Sequence, residues 1–143
     1  MASRRAEVVW EGDLAAGSGT IVSSGSGTLS DLGVSWKART EEPDGATSPE
    51  ELIAAAHASC FSMALSNGLA NDGHAPDELR TAATVTFQPG EGITRIVLTV
   101  EGRVDGLAAE EFERAAQTAK ENCPVSKALA AVPEIGLEAR LAA

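Results

Sequence analysis

Tyrosine is absent, aromatic residues make up only 3% of the 143 positions, and Lys and Arg together number 11 against 21 Asp and Glu. Each scarcity excludes something. With so few aromatics the core must be assembled from Val, Ile, Leu and Ala, leaving Phe61, Phe87, Phe112, Trp10 and Trp36 as its large fillers. A formal net charge of −10 repels polyanions, and no basic run interleaved with aromatics occurs, so nucleic acid is not an expected partner. No uninterrupted apolar run is long enough to span a bilayer, and "MASRRAEVVWEGDL" has no apolar segment behind its two arginines. The expectation is a cytoplasmic protein with no membrane partner. No GxGxxG fingerprint is present, so neither a nicotinamide nor a flavin cofactor is expected. Cysteine occurs only twice, at Cys60 and Cys123. In a reducing compartment two such thiols point to thiol chemistry rather than to a permanent disulfide.

What is present reads as one domain over residues 1–143. Three short alternating runs, "AEVVWEGD", "GTIVSS" and "GVSWKART", predict three strands within the first 40 residues. The Pro- and Gly-bearing loop 41–49 delivers the chain to a helix from Ser48 to about Ala70, with Ser48 as N-cap, Pro49 at its first position and Glu51 completing a capping box. That helix is apolar almost all round, which predicts burial on most sides. "LRTAATVTFQPG" and "GITRIVLTVEGRV" predict a β-hairpin turning between Pro89 and Gly92, with Thr94, Ile96, Leu98 and Val100 on one face of the second strand. An amphipathic helix over 108–122 follows, then a short helix opened by Pro124 with Cys123 at its N-cap, then a closing strand in "EIGLEARLAA". Strands in blocks argue an α+β fold, with helices on one face of a largely antiparallel sheet.

Cys60 lies in the middle turns of the long helix, where the helix dipole contributes little, so its activation needs a cation from elsewhere. Arg39, at the end of the third strand pattern, is the candidate. Glu50 precedes Cys60 by ten positions, about 15 Å along one helix. Two copies packed antiparallel near Ala55, where "AAAHAS" allows close contact, bring Glu50 of one chain opposite Cys60 of the other, which predicts a homodimer. An N-cap thiol at Cys123 has its own pKa lowered by the helix terminus, so bare physics leaves open which cysteine is the nucleophile.

"SPEELIAAAHASCFSMALS", with "WEGD" near the start and "CPVSKAL" near the end, resembles the OsmC/Ohr family of thiol-dependent peroxidases, and its OsmC branch in particular. The resemblance implies an intertwined homodimer with two long central helices wrapped by sheets. It also implies reduction of organic hydroperoxides to alcohols and recycling by a dithiol, such as a lipoylated protein, without a cofactor or a metal. It gives Cys60 the peroxidatic role and Cys123 the resolving one, with Arg39 as the thiolate-binding arginine and Glu50, rather than Glu51, as its carboxylate partner. An apolar lining, with Phe61, Met63 and the valines and leucines nearby as candidates, would favour alkyl or fatty-acid peroxides over hydrogen peroxide.

Two other readings are open to the residues. His57, Cys60, His74 and Cys123 could form a zinc site, although no Cys-x-x-Cys or His-x-x-x-His pair occurs. A non-catalytic module holding a small lipid-like ligand would leave both thiols incidental.

Overall fold

The computed structural model describes residues 1–143. The chain forms two compact units, Met1–Leu52 and Ile53–Ala143. In the first, β1 (Ala6–Glu11), β2 (Ser18–Ser24) and β3 (Leu32–Val34) make an antiparallel sheet in the order β1-β2-β3. All six residues of β1 are exposed, including Val8, Val9 and Trp10.

The third strand pattern is where structure and sequence part. β3 stops at Val34, and Trp36–Thr40 is a short helix, α1, so Arg39 is helical rather than at a strand end. The alternation of "VSWKART" mimics a strand, but Ser35 accepts a hydrogen bond from the Ala38 amide at 3.0 Å and caps a helical turn instead. That capping serine was the signal available in the sequence.

The long helix, α2, runs Pro49–Asn71 and starts as expected: the Glu51 amide donates to Ser48 Oγ at 3.2 Å. The other half of the expected capping box goes elsewhere, because the Glu51 carboxylate accepts from the Thr47 hydroxyl. By length and composition alone α2 could cross a membrane. Its stripe His57, Phe61, Leu65 and Leu69, spaced four residues apart, is instead buried in the second unit. The opposite stripe, Ala55, Ser59 and Met63, is exposed, so burial on most sides does not hold within one chain.

In the second unit β4 (Glu78–Gln88) and β5 (Gly92–Arg103) form the expected antiparallel hairpin, turning through Gly90 at φ +85°. Ile96, Leu98 and Val100 face inward. α3 (Ala109–Asn122) and α4 (Pro124–Ala128) then carry the chain over to β6 (Glu134–Leu141), which lies parallel to β5 in the order β4-β5-β6. The expected largely antiparallel sheets are thus two, each three-stranded, and the second is mixed. A helical crossover returns the chain in the same direction, which a tight turn cannot do.

Phe112, Ala116 and Ala119 of α3 pack with Phe61, Leu65, Leu69, Leu98 and Val100 into one core. Position 102 must be glycine for this: a Cβ there would stand 2.6 Å from the Phe112 ring. With α3 held on the sheet, its last turn delivers Cys123, whose amide donates to the Ala119 carbonyl at 2.9 Å.

Candidate active site

The first unit orients a guanidinium. Arg39 Nε donates to both oxygens of Glu50 at 3.0 Å, and Nη2 lies 2.9 Å from Glu50 Oε2. The Trp36 ring, one turn back on α1, sits 6.0 Å from the guanidinium carbon. Glu50 is only 7% exposed, and Arg39 supplies the partner that a buried carboxylate requires. Glu51 turns to Thr47 and Lys37 makes a solvent-exposed pair with Asp44, which leaves Arg39 and Glu50 as the matched pair, as the resemblance implies.

The second unit brings the two thiols together. Cys60 on α2 is half-buried, Cys123 between α3 and α4 is fully buried, and both are free. They are close enough that each shifts the titration of the other. Burial pushes Cys60 up; its contact with the Cys123 thiol adds to this, and the Val125 amide only partly opposes it. Burial acts on Cys123 in the same upward sense. It is outweighed by Cys60, by the amide and hydroxyl of Ser126 and by the Val125 amide, which hold this thiol below the usual range. Of the two, Cys123 is therefore the easier to ionise and Cys60 the harder, and the pair titrates as a unit.

A second contact lies beside the thiols. His57 Nε2 is 2.7 Å from Ser126 Oγ. His57 is one turn before Cys60 on α2, and Ser126 is one turn after Cys123. The sequence offered His57 only as a zinc ligand beside the cysteines and did not single out Ser126; the i, i+3 spacing on both sides was the available signal.

His74 Nδ1 lies 3.3 Å from the Asp105 carbonyl, and no three His, Cys, Asp or Glu side chains converge as a metal site. Of the two apolar candidates named for a lining by number, Phe61 is consumed by the core and Met63 is 72% exposed.

The family profile described as OsmC-like protein matches residues 42–138. Peroxiredoxin OsmC of Escherichia coli (strain K12) is 43% identical over 141 residues, covering 96% of each chain. Organic hydroperoxide resistance protein OhrA of Bacillus subtilis (strain 168) is 29% identical over 122 residues, 84% of this chain and 86% of that one. The crystal structure of OhrB of Bacillus subtilis superposes with a TM-score of 0.65 over 96% of this chain and 98% of that one, at 25% identity. With the profile spanning both units and a relative this similar along nearly its whole length, the chain belongs to the OsmC family.

Proposed function

We propose that this protein is a cytoplasmic, cofactor-free thiol peroxidase, one OsmC-like domain over 1–143, that reduces organic hydroperoxides to alcohols. The observation that carries the reading is the meeting of its only two cysteines, both free, in one site. The names of its relatives, a peroxiredoxin and an organic hydroperoxide resistance protein, support the reaction class.

Cys60 is the peroxidatic thiol in this scheme. Its thiolate attacks the distal peroxide oxygen; an S–O bond forms, the O–O bond breaks, and the alkoxide leaves and is protonated to the alcohol. Cys123 then attacks the Cys60 sulfenic acid to give a disulfide, which a dithiol reopens by exchange. Exposure supports this order over its reverse: a hydroperoxide can reach the half-buried Cys60, whereas Cys123 has no exposed surface. Because Cys60 is the harder of the two thiols to ionise, a cation is needed to stabilise its thiolate. The resemblance gives that task to Arg39, and Glu50 holds the guanidinium in a fixed plane suited to it.

The functional form is a homodimer. The exposed β1 residues Val8, Val9 and Trp10, and the exposed small-residue stripe of α2 with Met63, are apolar surface that a second copy would cover. Sedimentation at micromolar concentration is expected to give a dimer; a monomer alone would overturn this.

The function itself is tested by counting thiols before and after one equivalent of cumene hydroperoxide. Two thiols per chain should disappear and return with a dithiol. No loss would leave a small-ligand binding module as the better description.

A further inference from the structure

The contact between His57 and Ser126 has a direction. His57 is fully buried and Ser126 is 8% exposed, and His57 Nδ1 has no hydrogen-bond partner. Burial holds His57 below the usual histidine range, so the ring is neutral and carries one proton. Placing that proton on Nδ1 would strand an N–H in the interior, which is rarer than an unmet acceptor. The proton therefore belongs on Nε2, which donates to Ser126 Oγ at 2.7 Å. With its oxygen accepting from the imidazole, the single Ser126 hydrogen is free to point to the Cys123 sulfur, one turn back on α4.

We infer that His57 and Ser126 are positioning residues for disulfide formation: His57 fixes the Ser126 hydroxyl, and that hydroxyl donates to the Cys123 sulfur and holds it oriented opposite Cys60. This rests on the two-thiol scheme above and concerns its second step. There the Cys123 thiolate attacks the Cys60 sulfenic sulfur, the S–S bond forms and the S–O bond breaks. Hydroxide leaves and is protonated to water, Cys123 being oxidised as the sulfenic sulfur is reduced. The groups acting on the Cys123 sulfur are Cys60 from α2, together with the Val125 amide and the amide and hydroxyl of Ser126 from α4. His57 acts on it only through Ser126.

A hydroxyl that stabilises a thiolate leaves a kinetic signature that simple packing does not. If Ser126→Ala raises the Cys123 pKa by about one unit, the thiolate fraction at low pH falls about tenfold while each thiolate becomes about threefold more nucleophilic. The ratio of variant to wild-type closure rate should then climb about tenfold as pH rises through the Cys123 titration, whatever constant slowing is superimposed.

The experiment mixes reduced protein with one equivalent of cumene hydroperoxide, quenches in acid and follows disulfide closure by alkylation and mass across pH. His57→Leu, which removes the donor, should reproduce the Ser126→Ala ratio, and His57→Gln, which keeps an N–H donor, should restore the wild-type profile. These two variants carry the readout independently of whether Ser126→Ala folds. A ratio flat with pH, or His57→Gln behaving as His57→Leu, would overturn the inference while wild-type closure keeps the two-thiol scheme intact. Failure of the wild type to form the disulfide would bring down the scheme itself.

Discussion

Cys60→Ser removes hydroperoxide turnover, with an expected loss of at least about three orders of magnitude. The exchange is nearly isosteric at a half-buried position, so the fold should be kept. The chemistry is lost because a serine hydroxyl is scarcely ionised at neutral pH, and its oxygen is a far poorer nucleophile than sulfur toward a peroxide. The measurement is alcohol formed per chain from cumene hydroperoxide in the presence of excess dithiol. Turnover within tenfold of wild type would exclude Cys60 as the peroxidatic thiol.

Cys123→Ser should stop at a different point. Serine is a favourable N-cap, so the start of α4 is preserved. The first step proceeds, one alcohol forms per chain, and Cys60 is left as a sulfenic acid with no second thiol in the chain to condense with. Mass spectrometry should show a gain of about one oxygen where the wild type loses two hydrogens, and excess hydroperoxide should carry the variant on to the sulfinic acid. The two variants together settle the assignment, because the electrostatics and the accessibility favour different thiols. Cys123 is the more acidic of the pair in the reduced chain, yet Cys60 is the one with exposed surface. If the roles were reversed, Cys60→Ser would give the single turnover and Cys123→Ser would be inert.

In the proposed scheme acidity serves the second step and access serves the first. A thiol that must wait for a sulfenic acid on its neighbour can be buried and ionised, since its target is delivered by the fold. A thiol that must meet a diffusing alkyl peroxide cannot be buried, and its ionisation has to come from a cation. In the scheme proposed above that cation is Arg39, whose pairing with Glu50 removes rotational freedom from the guanidinium; a buried Glu50 without Arg39 would be an unpaired charge.

Local signals were legible wherever a few neighbouring residues decide the conformation. Ser48 and Pro49 start α2, the alternation of Ile96, Leu98 and Val100 marks the inner face of β5, and Pro124 opens α4. The same locality misled at "VSWKART", where alternation outweighed a serine cap, and it could not reveal that β6 runs parallel to β5, since strand direction is set by how a crossover packs.

The sequence by itself determined the family and the reactive groups on offer: two thiols, an arginine, a glutamate and the motif around each are composition and order, and no folding is needed to read them. Only tertiary structure decided which groups meet. Arg39 reaches Glu50 across the loop between α1 and α2. Cys60 reaches Cys123 across 63 positions and His57 reaches Ser126 across 69, because α3 is packed on its sheet and ends against α2. Proton positions follow from those meetings, since burial and hydrogen bonding act through distances in space that one-dimensional spacing does not encode.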